Sequence, residues 1–549
     1  MTLHYPGPST TSAGERDPLD AEVDVLVVGA GFSGLYLHHL LRQAGLSVVG
    51  FDDADDVGGT WQWNRYPGAR CDIESWDYSY SFSPELDQEW AWSERYASQP
   101  EILRYLRHVA DRFDLRRDIR FHTRVSQAVW DEESGRWLIA TNRGDTIRAR
   151  FCVMAVGCLS EPKAPDFPGL ESFAGEVLFT ARWPHEPPDL TGKRIGVIGT
   201  GSSGVQCIPI LAEQAAELTV FMRTPSFALP AQNRMLDDAE TRALKAGFAE
   251  HRRLIRQSSG GVLGDVPPLS ALEVSPQERE KVYQAGWESG ALFGLAGAYN
   301  DIMINPEANE TVADFVRRQI REIVEDPAVA EALSPTTYPF GARRSCLDTG
   351  FYATFNRPNV RLVNLAKEPI EDVTPEGVRT SRNTYPLDTL VLATGFDAVT
   401  GPLLAMDIRG CNGLPLREAW ADGPVTYLGV AVAGFPNLFT ITGPGSPSVL
   451  TNMVASIEQH VEWVIDCIEH VRRRPHSRIE ALPDAQEKWT DHVAEVAAFT
   501  VYPKANSWYM GANIEGKPRR FLPYIAGLNI FRQVCNDVAA EGYRGFVVS

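Results

Sequence analysis

Two glycine-rich turns, each following an apolar run and opening helix-forming sequence, constrain the fold of this 549-residue chain more than any other feature. The first is Gly29, Gly31 and Gly34 in VDVLVVGAGFSG; the second is Gly199, Gly201 and Gly204 in RIGVIGTGSSG. In a strand–turn–helix unit the first glycine permits the tight turn, the second lets backbone approach a pyrophosphate, and the third lets the helix pack closely. The helix N-terminus then faces the anion, because its first N–H groups have no partner inside the helix. One such pattern is weak evidence. Two in the same context, 170 positions apart (29 to 199), predict an α/β chain with two Rossmann-like dinucleotide-binding domains that passes electrons between two nucleotide cofactors.

The length exceeds what a single core fills, so several domains are expected. Residues 1–20, rich in Pro, Gly, Ser and Thr, read as a flexible arm. Residues 21–158 and 386–549 read as one discontinuous nucleotide domain, and residues 159–225 and 336–385 as the second. Residues 226–335 turn charged and amphipathic and read as a helical insertion in the second domain. A net charge of −19 argues against a general nucleic-acid or anionic-membrane binder. The eight cysteines are scattered with no C-x-x-C pair, which predicts reduced thiols and no metal site. No apolar stretch approaches a membrane span, and a cytoplasmic protein is expected.

The strand ends distinguish the two nucleotides. The first unit's second strand ends in Phe51-Asp52-Asp53, where an acid can accept hydrogen bonds from an unphosphorylated ribose, as in FAD or NAD. The matching strand of the second unit ends in Phe221-Met222-Arg223-Thr224, with no acid and a guanidinium suited to phosphate. Alone, Arg223 reads as a solvated strand-end cation; with the fingerprint upstream, recognition of the NADPH phosphate is the better reading.

Between the units, GGTWQWNRYPGARCDIES gathers Trp61, Trp63, Tyr66 and Asp72 without helical or strand period, as a loop against a flat ring system would. Here the chain resembles the type I Baeyer–Villiger monooxygenases: Gly58-Gly59-x-Trp61, Tyr66-Pro67-Gly68 and Asp72 match a family fingerprint without a gap. By its loops RCDIES, GTGSSG, GPGSPS and NSWY it is most similar to the phenylacetone and steroid monooxygenase branch. The resemblance implies FAD reduced by NADPH, a flavin peroxide that converts ketones to esters or lactones, sulfide oxidation besides, and a monomer without nucleic-acid or membrane partners. It assigns Arg344 in GARRSCLDTGFY as the fixed cation and Asp72 as the carboxylate that orients it. Around the flavin it nominates Ser33, Asp52, Thr60, Trp61, Tyr78, Val125 and Met453. Toward NADPH it nominates Arg70, Cys71, Thr200, Ser202, Ser203, Gln206, Arg223, Thr224, Arg343 and Trp508, the last in ANSWYMGAN.

A second family fingerprint, Phe-x-Gly-x-x-x-His-x-x-x-Trp, falls on FAGEVLFTARW, where Phe173, Gly175 and Trp183 match and Phe179 replaces the histidine. In the family this histidine serves domain positioning more than bond-making, so the substitution bears on coupling and not on reaction class. A flavin-containing N- or S-monooxygenase, an uncoupled NADPH oxidase, and a non-enzymatic NADPH sensor are the alternatives. The Asp-bearing loop and the arginine pair favour ketone oxygenation. The sequence does not identify the ketone.

Overall fold

The computed structural model describes residues 17–163, 165–264, 266–474 and 476–549; the expected arm therefore lies, through residue 16, outside the described residues. Asp20–Val28 forms a strand that starts three residues before the apolar run at Val23 and ends fully buried. Helix Phe32–Gln43 follows at once and stops before Gly45, whose φ of +68° closes the helix C-terminus in the left-handed region. Val48–Phe51 then returns parallel to the first strand.

These strands are part of an eight-stranded sheet in the order Asp407–Arg409, Val125–Asp131, Arg136–Thr141, Thr146–Met154, Asp20–Val28, Val48–Phe51, Ile119–Arg120, with Leu438–Thr440 paired to Thr146–Met154. The three strands from Val125 to Met154 are an antiparallel meander grafted onto the parallel part. The second fingerprint lies in a five-stranded, wholly parallel sheet ordered Val360–Asn364, Glu217–Met222, Arg194–Ile198, Thr389–Leu392, Glu176–Phe179. Its inner strands are near-continuous buried runs, the pattern of a parallel sheet covered on both faces.

One strand departs from the expected boundary at residue 386. Thr389–Leu392, expected with the first unit, inserts between Arg194–Ile198 and Glu176–Phe179 of the second sheet. Four buried letters without alternation suit either sheet, and only pairing decides. The chain crosses back after this strand, beside the outgoing crossing. Backbone bonds from Val399 N to Cys158 O and from Asp397 N to Glu161 O, both 2.9 Å, join the two crossings.

Among the described residues of 238–333 there are four helices, Asp238–Gln257, Pro276–Ser289, Pro306–Ile323 and Pro327–Leu333, and no strand. Each begins at a side chain that accepts from the first turn: Asp237, Ser275, Asn305 and Asp326. Proline in the first turn of the last three adds the fixed φ that a helix start favours. Among the described residues no helix is long and apolar enough to cross a membrane, and no His/Cys/Asp/Glu group is arranged to hold a metal. All eight cysteines are free thiols.

Candidate active site

At the first fingerprint, backbone replaces side chain as the packing surface. A Cβ on Gly29 (φ +109°) would lie 2.4 Å from the Ala155 oxygen, and one on Gly34 would lie 1.9 Å from the Gly29 oxygen. Gly31 and Gly59 face each other, so that a Cβ on Gly59 would come within 2.9 Å of Gly31 Cα. The helix that starts after Gly31 has no side-chain cap and no acid in its first turn, leaving its N–H groups to an external anion. Ser33 is buried in that turn. Asp52 accepts from Ala30 N at 2.6 Å and from Ala54 N at 2.8 Å. Burial, then Asp53, pushes its carboxyl up to about 7, so ribose hydroxyl donors would meet an acid that gains from them. A bare helix N-terminus, a glycine cradle and this acid together fit an adenine dinucleotide.

The tryptophan segment, expected as loop, contains one helical turn, Thr60–Trp63, which begins after Gly59 at φ +52°. That turn delivers Trp61 to Tyr78: the indole N–H donates to the phenol at 3.2 Å, with the rings edge-on at 5.8 Å. Tyr78 stands edge-on to Phe32 at 5.2 Å, which completes an aromatic wall beside the first fingerprint helix. Met453 opens helix Met453–Arg472, and its N-cap Asn452 donates to Asp77 O at 2.6 Å, tying this helix start to the residue before Tyr78. Val125 is placed differently. It is buried in the apolar cluster of the first sheet, and its side chain does not join the aromatic wall.

Arg344 and Asp72 meet. The guanidinium Nη2 lies 3.7 Å from Asp72 Oδ2, with side-chain exposures of 26% and 7%, and Nη1 donates to Val449 O at 3.2 Å. Burial alone would pull Arg344 down, but Asp72, ahead of Tyr509, holds it above its ordinary value. Burial likewise pushes the Asp72 carboxyl up, against Arg344, the Leu347 N–H and Gln206. The result is a fixed cation on a side chain that is about a quarter exposed. Tyr509, buried and hydrogen-bonded to Arg344, is a residue that sequence reasoning passed over, although it adjoins Trp508 in the quoted NSWY. Cys71, Cys158 and Arg344 all lie close enough to Tyr78 to act on its phenol electrostatically, which brings the arginine to the aromatic wall.

The second fingerprint repeats the glycine logic. Cβ atoms on Gly199 (φ +112°) and Gly204 would lie 2.4 Å from Ala393 O and 2.2 Å from Gly199 O, whereas one on Gly201 would meet nothing within 4 Å. Helix Ser202–Gln214 again starts without a side-chain cap or an acid. Ser202 Oγ sits 3.3 Å from Cys346 Sγ, two residues beyond Arg344. Ser203 and Gln206 both hydrogen-bond Tyr66, which brings this helix onto the tryptophan segment. Thr200 bonds Thr224 O at 3.3 Å, beside the exposed Arg223. Arg343 stacks its guanidinium 5.2 Å from the Tyr338 ring centroid. Trp508 is half-buried, its ring 4.3 Å from that of Tyr509. Arg70 instead turns to Glu94 at 3.1 Å and Tyr96 O at 3.0 Å, offering its own carbonyl to Gln206. Cys71 is buried, its thiol pushed up by burial.

Phe179 ends the edge strand Glu176–Phe179 opposite Leu392 and packs on the apolar cluster of the second sheet. Three residues on, the Arg182 guanidinium lies 4.2 Å from the Trp63 ring centroid, a cation–π contact between this segment and the tryptophan turn. Phe179→His would put a polar ring on that apolar face. The expected outcome is a changed ratio of hydrogen peroxide to NADPH consumed with the product unchanged, measured by peroxide assay and mass spectrometry; a new product would contradict it.

The model of the flavin-binding monooxygenase-like family matches residues 22–239. A Baeyer–Villiger monooxygenase of Pseudooceanicola batsensis is 41% identical over 530 residues, covering 96% of both chains. The phenazine N-monooxygenase PhzNO1 of Lysobacter antibioticus is 43% identical over 528 residues, covering 96% of this chain and 97% of the relative. The solved structure of an oxidised steroid monooxygenase bound to NADP superposes with a TM-score of 0.92 at 52% identity, covering 96% and 99% of the two chains. With the Asp72–Arg344 pair beside the two glycine turns, the chain belongs to the Baeyer–Villiger monooxygenases of the flavin-binding monooxygenase-like family, enzymes that work with FAD and NADPH.

Proposed function

We propose that the first fingerprint holds FAD, the second holds NADPH, and Arg344 carries out ketone oxygenation with Asp72 as its orienting partner, in a monomeric cytoplasmic enzyme. When bound, FAD reduced by NADPH supplies the dioxygen-activating chemistry. The chain supplies the rest. Arg344 keeps a positive charge where negative charge accumulates on the ketone oxygen, and a guanidinium stays charged at any working pH. Asp72 fixes its direction, and the aromatic wall of Trp61, Tyr78 and Phe32 keeps water from the reacting face. The observation that carries this reading is the 3.7 Å pair between Arg344 and Asp72 at the junction of the two cradles.

The test is oxygen-dependent NADPH consumption against a panel of ketones, sulfides and phenazines with product mass. A gain of one oxygen with an ester linkage supports the reading. N-oxide formation from phenazines alone would favour the second reading, N-oxygenation, which the 43% identical phenazine N-monooxygenase brings in. For the cofactor, Arg223→Ala is expected to raise the KM for NADPH about tenfold or more while leaving that for NADH unchanged, the effect of losing a charge-assisted phosphate contact. Equal effects on both cofactors would remove Arg223 from phosphate recognition.

A further inference from the structure

Gln206 lies where the two halves of the site meet. It projects from helix Ser202–Gln214 and is 4% exposed. Its Oε1 accepts from the Tyr66 hydroxyl at 2.8 Å, while its Nε2 donates to the Arg70 carbonyl at 3.1 Å and faces Asp72 Oδ1 at 3.4 Å. The backbones touch as well: a Cβ on Gly68 (φ +82°) would lie 2.3 Å from the Gln206 carbonyl oxygen. The orientation of the amide is over-determined. Ser203 also bonds the Tyr66 hydroxyl, whose own proton is left for Oε1, and the Arg70 carbonyl can only accept, so it requires Nε2. Both neighbours select the same flip, and in that flip an N–H points at Asp72.

We propose that Gln206 is a positioning residue: its amide, aimed by Tyr66 and the Arg70 carbonyl, holds the Asp72 carboxylate for Arg344. One side chain thereby links the helix that seats NADPH to the aim of the arginine. This inference rests on the reading of Arg344 given above. The cations that face Asp72 are the guanidinium groups of Arg344 and Arg70. The other titratable groups acting on it or receiving its field are the phenols of Tyr66, Tyr96 and Tyr509 and the thiols of Cys71 and Cys346, all raised by burial. Asp72 is the carboxyl of this cluster, and burial pushes it up from its ordinary value against the Arg344 guanidinium and the Gln206 amide. Because Gln206 donates to the charged form, removing the donor raises the pH at which Asp72 ionises.

The test needs no turnover. In the resting FAD-loaded enzyme, the protonated Asp72 carbonyl band, identified in the infrared by its loss in Asp72→Asn, is titrated in Gln206→Met and in the parent. The expected midpoint is higher by about one pH unit in Gln206→Met. Tyr66→Phe, which retains the amide and the Arg70 carbonyl but removes one of the two groups that aim it, shifts the midpoint the same way by less. The acid limb of ketone turnover is expected to move to higher pH together with the midpoint. An unmoved midpoint in Gln206→Met that still binds FAD and melts cooperatively would overturn the proposal; so would a raised KM for NADPH over an unmoved midpoint, which would leave Gln206 a cofactor contact alone. Failure of the parent enzyme to form ester would count against the proposed function and not against this titration.

Discussion

Arg344→Ala is expected to retain FAD and oxidise NADPH, yet form ester or lactone about 10²- to 10³-fold more slowly, the usual effect of removing a preorganised charge-stabilising group. No neighbour can replace it. Arg70 is committed to Glu94 and the Tyr96 carbonyl, and Arg343 lies over Tyr338. The fold is expected to survive because Asp72, already pushed up by burial, takes a proton instead of remaining an uncompensated buried charge. Reducing equivalents then leave as hydrogen peroxide, so the measurement is ester by mass and peroxide by assay per NADPH consumed. Arg344→Lys is expected to recover only part of the loss, since one ammonium cannot serve both Asp72 and Val449 O as the planar fork does. Near-parental ester yield from Arg344→Ala would remove the arginine from the reaction.

The second large effect separates two glycines three residues apart. Gly204→Ala would set a methyl 2.2 Å from the Gly199 oxygen, in backbone that has nowhere to go, and is expected to destabilise the protein by more than about 3 kcal/mol. Gly201→Ala meets nothing within 4 Å, and its φ of −78° and ψ of −168° suit any residue. Its melting temperature should stay within a few degrees of the parent, with FAD retained. Its KM for NADPH should nevertheless rise at least about tenfold, because the methyl occupies the space through which the pyrophosphate approaches the helix N-terminus. An unchanged KM in Gly201→Ala would mean that this turn does not receive the pyrophosphate.

Parts of the site were legible because local chemistry leaves few options. A glycine forced by a carbonyl 2 Å from where its Cβ would stand, an acid closing one strand and an arginine closing the other can be read from order alone. The helical character of residues 226–335 was legible in its amphipathic period, while the four helix starts at Asp237, Ser275, Asn305 and Asp326 were shown by the structure. The helical turn at Thr60–Trp63 was missed because four residues show no period. The sheet that takes Thr389–Leu392 was misjudged because a strand buried on both faces has the same letters in either sheet.

By itself the sequence determined the two glycine turns and the acid and the arginine that follow their second strands, because each of these is a short-range requirement written in consecutive letters; Asp72 and Arg344 came from the family resemblance, carried by motifs far apart in the chain. Tertiary structure alone decided that Asp72 and Arg344, 272 positions apart (72 to 344), stand 3.7 Å from each other, and that Gln206 of one cradle reaches into the loop of the other. Such pairs form when two sheets pack, and the burial that raises the Asp72 carboxyl and sustains the arginine's charge comes from the whole fold and from no local stretch of chain.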